Sequence, residues 1–540
     1  MCAFKKPRPH YALLALTAFL PALLHAQSSQ KPDAATAAWW AQTTALSNDS
    51  MQGRDTGSEA YERAAKYVAT QFAAAGLKPA GDSLDGKATF FQRVPMHQIN
   101  LDAASSSIEI IPSHTTEKAI PLQLLQQITV APRDNMPEAL TAPMIFLGDG
   151  VPANDSDVRG KVAVFFNYIP SSIRGKERDT FAAHRSQALA RSGAAAILSI
   201  DNPTAIEPFH WPAAYARTVT LKQTAATAEA ATPARPAAPP FLRISAEAAP
   251  ALFASSGHTF AKILALGSKG DPMPSFPLQA SLRVHLTVTS KDISSPNILA
   301  ILPGSNTKLA PEYVALSAHL DGYGFGTPVL GDKLYNGTLD DAAYVATLIE
   351  LAKSLQHKAP ARSLLFCIFT GEEKGLLGSA WFTQHPTVPA NQIVADLNLD
   401  QLRPIFPLNI LTMEGLTDST LGDTVRAVAA PFHIEIRPDL EPERNLFRRA
   451  DNYNFVRIGV PIASFIFGYD KGSPEEITYR DWYARRYHKP QDDIHTPIDW
   501  DAAGRFNRFY TALAIAIANA PARPRWLPSS PYSPHQSSAP

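Results

Sequence analysis

Five short apolar runs, NILAILPG, YVALSAH, SLLFCIFT, IVADLNLD and IASFIFG, recur between residues 297 and 468 with amphipathic stretches between them. Runs of this length that lack polar alternation suit strands covered on both faces. Between the second and third runs, DDAAYVATLIELAKSLQ puts Val345, Leu348, Ile349, Ala352 and Leu355 on one helical face. Strands alternating with helices predict an α/β fold, a three-layer sandwich around a mixed, largely parallel central sheet. Ligands of such sheets collect beyond the carboxyl ends of the strands, so the residues just past each run carry the functional argument.

The rest of the chain divides around this block. Upstream, AAWWAQTTALSNDSMQGRDTGSEAYERAAKYVATQFAAAGLKPAG reads as helix, polar loop, helix, with Ala64, Val68, Phe72 and Ala75 on one apolar face and Gly76 as terminator. From about residue 142 to 254, short strand candidates, two helical stretches and an Ala/Thr/Pro-rich loop (AAYARTVTLKQTAATAEAATPARPAAPP) form a separate module. It offers no evident chemistry: His184 and His210 stand isolated in it. At 540 residues the chain exceeds one ordinary core. The expected division is a signal peptide at 1–26, an N-terminal part of the main domain at 27–135, an insertion at 136–285, the main domain at 286–522 and a disordered Pro/Ser-rich tail at 523–540.

Lys plus Arg and Asp plus Glu both number 49, and no long basic run suits a phosphate backbone or anionic lipid, so nucleic acid is not an expected partner. At the N-terminus Lys5, Lys6 and Arg8 precede an apolar segment at residues 11–24, followed by Ala26 and Gln27. That is the form of a secretory signal, too short for a comfortable membrane span, and cleavage after Ala26 leaves no stable span. Cleavage also removes Cys2 and leaves Cys367 alone in a strand candidate, so no internal disulfide forms. A bacterial periplasm or exterior is the expected location.

Past the strand ends lie His319 and Asp321 in SAHLDGYG, Glu372 and Glu373 in FTGEEKG, and Asp400 in NLD. Asp340 and Asp341 begin the amphipathic helix, and His488 follows in RRYHKPQDD. Singly, His-x-Asp is common, Glu-Glu marks solvated faces and Asp-Asp caps helices. Together, in order and each at a strand end or the loop beside it, they would converge on one sheet edge. So many carboxylates cannot stay ionised together in low dielectric without positive charge, and two divalent cations would supply it. Zinc accepts both imidazole nitrogen and carboxylate oxygen.

This series resembles the co-catalytic di-zinc exopeptidases of metallopeptidase family twenty-eight, a group of aminopeptidases and glutamate carboxypeptidases. The likeness is strong over residues 297–520 and looser over the N-terminal helices, and the insertion is similar to a protease-associated domain. The resemblance implies two Zn2+ ions, one bound by His319 and Asp400, the other by Glu373 and His488, with Asp340 bridging. It implies Glu372 as general base and a cis bond between Asp340 and Asp341. Asp321 is expected to accept the second imidazole N–H of His319. Tyr487 either donates to the oxyanion or simply packs. His495 is a rival ligand to His488, but YHKPQDD fits the pattern and IHTPID does not. Departures are Ala450 and Asn452 where relatives have Ser and His, and Tyr344 where many have Gly.

The implied activity is removal of N-terminal residues from peptides. A carboxypeptidase or dipeptidase is the first alternative, with Arg444, Arg448 and Arg449 as its carboxylate anchors. A one-zinc glutaminyl cyclase is a more distant one. A receptor-like binding protein would have lost metal ligands, whereas all five are in place here.

Overall fold

Leu364, Phe366 and Ile368 of the strand Ser363–Phe369 point into one apolar core, while Leu365, Cys367 and Phe369 point into another on the opposite face. That period-two division of a uniformly apolar run makes it the central strand of a three-layer sandwich. The computed structural model describes residues 31–113, 118–174, 176–205, 207–222, 238–400 and 402–533. The expected signal peptide lies outside them. Among the described residues no helix is long and apolar enough to cross a membrane.

The main sheet runs in the order Arg217–Leu221, Phe91–Leu101, Val288–Leu302, Ser363–Phe369, Tyr313–His319, Ile393–Asn398, Ile462–Gly468, Ile410–Glu414, Glu435–Arg437, and Lys78–Pro79 also pairs with Val288–Leu302. Its centre, from Ser363–Phe369 to Ile462–Gly468, is parallel. On either side of this centre the next pairing is antiparallel, and Glu435–Arg437 returns to parallel pairing at one edge against Ile410–Glu414, so the sheet is mixed, as expected, with a parallel middle. Helices Ala34–Ser47, Glu59–Ala74, Ala343–Ser354 and Trp500–Asn519 cover one face. Leu377–Gln384 and Asn452–Arg457 cover the other through Phe382 and Phe455.

Ser58 caps Glu59–Ala74 by accepting from the Tyr61 amide, and Ala64, Val68 and Phe72 are buried as their spacing predicts. Ala343–Ser354 is buried on nearly every side, because Ala34–Ser47 packs on its outer surface and Trp39 Nε1 donates to the Ala343 carbonyl at 2.7 Å.

A second sheet, with its own core, is ordered Ile120–Leu122, Ser107–Pro112, Phe276–His285, Ala139–Phe146, Val162–Phe166, Ala196–Ile200, Phe241–Ile244, Ile128–Val130. It begins at Ser107, not near residue 136. Ser107–Pro112 is recruited by a partner far along the chain, with Ile110 opposite Leu282, a pairing no local pattern announces. The stretch read as a long loop holds the strand Arg217–Leu221, which leaves the inserted module and forms the edge of the main sheet against Phe91–Leu101.

The tail also differs from expectation over residues 523–533. Trp526 is buried beside Phe455 and Val460, and its Nε1 donates to the Gly459 carbonyl at 2.9 Å. Replacing Trp526 by Ala is expected to cost about 3 kcal/mol or more, read from urea unfolding; a disordered residue would cost nothing measurable.

Candidate metal centre

Three neighbouring parallel strands deliver the first groups. His319 ends Tyr313–His319, Glu372 and Glu373 lie in the turn after Ser363–Phe369, and Asp400 follows Ile393–Asn398. Asp340 stands in the irregular turn that enters Ala343–Ser354, and His488 in the loop after Pro474–Arg485. Ligand atoms of His319, Asp340 and Asp400 lie within 4.8 Å of one another, and so do those of Asp340, Glu373 and His488. Asp340 belongs to both groups. One of its oxygens is 3.3 Å from His319 Nε2 and the other 3.4 Å from His488 Nε2, while Glu373 lies 3.3 Å from His488 Nε2. Glu372 is in neither group but reaches within 3.9 Å of His319 Nε2.

The turn that presents Asp340 is held from several directions. The Asp340–Asp341 peptide bond is cis, as the resemblance implies. The Leu339 and Asp340 amides each donate to the Asp492 carboxylate at 3.0 Å, and the Asp341 carboxylate accepts the His319 amide at 3.0 Å. Gly337 has φ +58°, and a Cβ there would meet the Asp340 carbonyl oxygen at 2.4 Å. Arg403 is fully buried, donates to the carbonyls of Leu339, Asp400 and Leu402, and lies 3.7 Å from the Asp340 carboxylate.

Burial raises the carboxyls of Glu372 and Asp400, with neighbouring negative charge adding to it, and carries Glu373 to about 7. His319 is drawn down by burial, yet Asp341 and Glu372 outweigh that and hold it well above the usual imidazole range. His319 Nε2 and Asp340 Oδ2 are buried with no hydrogen-bond partner. Crowded acids, paired imidazoles and orphaned ligand atoms aimed at common points fit a pair of divalent cations.

The structure brings all five expected ligands and Glu372 together. Asp321 is placed differently from the expectation. Its carbonyl oxygen, 3.0 Å from His319 Nδ1, orients the imidazole, and its carboxylate stands 3.8 Å from that nitrogen. The carboxylate instead accepts Thr56 Oγ1 at 2.9 Å and the Glu372 amide at 3.0 Å, so Asp321 fixes a ligand with its main chain and Glu372 with its side chain. Tyr487 stacks on His488 with ring centroids 3.7 Å apart. His495 is exposed and belongs to neither ligand group. Tyr344 donates to the Leu402 carbonyl, Asn452 donates to the Phe447 carbonyl, and Asp451 between its altered neighbours accepts from Ser379.

Several contributors escaped the sequence reading. Tyr323 OH is 3.0 Å from His488 Nδ1 and orients the second imidazole, although it sits in the same SAHLDGYG motif. Lys374, directly after the Glu pair, donates to Tyr215 OH at 2.6 Å and ties the inserted module to the site. His210, read as isolated, lies with its ring 5.5 Å from that of Tyr487 and 6.1 Å from that of His488. Burial, with His488 adding to it, lowers His210 to about 3 and keeps it neutral. Arg444 and Arg449 both pair with Glu207 of the module, and Arg448 faces the ring of Tyr453.

Two candidate ligand triads gathered about one shared carboxylate at the edge of the sheet define the class, an α/β fold with a candidate metal centre. Residues 297–514, 218 of the 540, match the profile described as peptidase family M28. A probable zinc metalloprotease of Pyrenophora tritici-repentis is 31% identical over 110 residues, 20% of this chain and 25% of that protein. Aminopeptidase YwaD of Bacillus subtilis is 24% identical over 206 residues, 37% of this chain and 40% of its own. The matched stretches thus span well under half of these relatives. The aminopeptidase from Aneurinibacillus sp. strain AM-1 superposes with a TM-score of 0.56 at 18% identity, covering 90% of this chain and 95% of that one. BSAP, a zinc aminopeptidase from Bacillus subtilis, gives 0.55 at 18% identity, covering 90% and 96%. At this identity the likeness is one of fold.

Proposed function

We propose that the protein is an exported aminopeptidase that holds two zinc ions and hydrolyses N-terminal residues from peptides. The observation that carries this reading is the pair of ligand triads joined at Asp340, with Glu372 beside them but bound to neither. His319, Asp340 and Asp400 would hold one ion and Asp340, Glu373 and His488 the other. A bound pair supplies Lewis-acid polarisation of the scissile carbonyl and activation of a water. Glu372 takes the proton from that water and passes it to the leaving amine. Its amide is fixed by Asp321, so its carboxylate works from a set position. Tyr487, pinned against His488, is the donor we assign to the developing oxyanion.

The aminopeptidase reading is favoured over a carboxypeptidase because Arg444 and Arg449 are already engaged by Glu207. Export rests on the signal-like residues 1–26, and the second sheet is assigned as a protease-associated domain on its place as an insertion. Metal analysis with a peptide panel tests the whole. The expected result is close to two zinc ions per chain, turnover of amino-acid anilides, and none of N-acylated dipeptides. One ion per chain, or the reverse preference, would reject the proposal.

A further inference from the structure

The inserted segment around His210 is clamped to the main domain at both ends. Glu207 binds Arg444 and Arg449, Thr327 Oγ1 donates to the Ala213 carbonyl at 2.7 Å, and Arg217 pairs with Asp55. Between these anchors the segment forms one wall of a cavity of about 440 Å³ whose other wall carries Tyr323, Tyr487 and His488. The cavity therefore reaches the second ligand triad at His488.

Most polar side chains lining it are already committed. Glu207 and Arg449 hold each other, Arg243 pairs with Asp201 at 2.9 Å, Tyr215 accepts from Lys374, and Tyr323 is bonded to His488. Among the described residues the His210 ring nitrogens have no hydrogen-bond partner, although the ring is held edge-on to Tyr487 and His488. An imidazole offers two ring nitrogens for hydrogen bonding, and here the ring packing fixes the direction in which both face.

We propose that His210 is a specificity-determining residue that hydrogen-bonds the peptide substrate, so that the inserted module completes the substrate site. This rests on the peptidase reading. The contact is one hydrogen bond made in ground and transition states alike, so its loss should weaken binding and leave the chemical step alone.

The test compares wild type with His210→Phe, which keeps a ring but no hydrogen-bonding atom, and His210→Asn, which keeps donor and acceptor. For a peptide anilide, His210→Phe should raise KM about 5- to 10-fold with kcat within about twofold, zinc content unchanged and the pH profile unmoved, and His210→Asn should recover part of the loss. In parallel, peptide affinity is measured by calorimetry on Glu372→Gln with and without His210→Phe, where the same weakening should appear without turnover. An unchanged KM and affinity for His210→Phe, a loss falling on kcat, or a loss of zinc would overturn the inference while leaving the peptidase reading intact. A wild-type protein that hydrolyses no peptide, and a Glu372→Gln variant that binds none, would overturn both.

Discussion

A Glu372→Gln variant is expected to lose about 10²- to 10⁴-fold in kcat while keeping its full complement of metal. Gln matches Glu in shape and still accepts a hydrogen bond, but it cannot take a proton from water and return it to an amine. Metal should stay because Glu372 is outside both ligand triads. Its position should also survive, because the Asp321 carboxylate grips the main-chain amide at 3.0 Å and not the side chain that is changed. Steady-state kinetics with metal analysis on the same preparation checks both halves. Turnover at the wild-type level would remove Glu372 from the chemistry, and loss of an ion would make it a ligand.

Asp340→Asn should have the broadest effect on the metal. Every other ligand serves one cluster, whereas Asp340 serves both, with separate oxygens near His319 and His488. A neutral amide neither bridges two cations nor balances their charge, so zinc affinity should fall at both positions. Since loss of an outer-sphere partner alone typically costs 10- to 100-fold, the loss here should be at least roughly 100-fold at each position, with activity falling accordingly. His488→Ala, by contrast, should strip one position and leave the other largely loaded. Zinc retention after dialysis against graded chelator separates the two patterns, with circular dichroism confirming that the variants remain folded. An Asp340→Asn protein that holds two ions as tightly as wild type would refute the shared-ligand assignment.

His319, Glu373 and Asp400 were legible because each sits at or just past a strand end, and strand ends follow from short apolar runs that need only local sequence. Asp340 enters a helix and His488 follows one, so their motifs had to carry them. The cis bond after Asp340 came from family likeness alone. Asp321 shows where such reading stops. HLD predicts a carboxylate beside an imidazole, but the bond to His319 is made by a carbonyl oxygen whose direction is set by how the chain leaves the sheet. His210 was hidden for a different reason. It approaches His488 across a gap of 278 residues in sequence, closed only when the inserted sheet docks. Arg217–Leu221 failed for the same reason, since nothing local in an Ala/Thr-rich stretch announces a pairing with Phe91–Leu101. Trp526 was masked by its setting, because Pro/Ser-rich composition suggests disorder and its anchor, the Gly459 carbonyl, lies far upstream.

Lys374 follows the Glu pair directly, yet its ammonium reaches across to Tyr215 of the inserted module. A three-residue stretch therefore faces two ways, toward the candidate metal centre through its carboxylates and toward the guest sheet through its amine. Amino-acid changes between Glu207 and Tyr215 would accordingly recut one wall of the cleft without replacing a candidate ligand. On the proposed function, the groups that would react and part of the wall that would choose cargo come from different lengths of polypeptide and meet where His210 packs on His488.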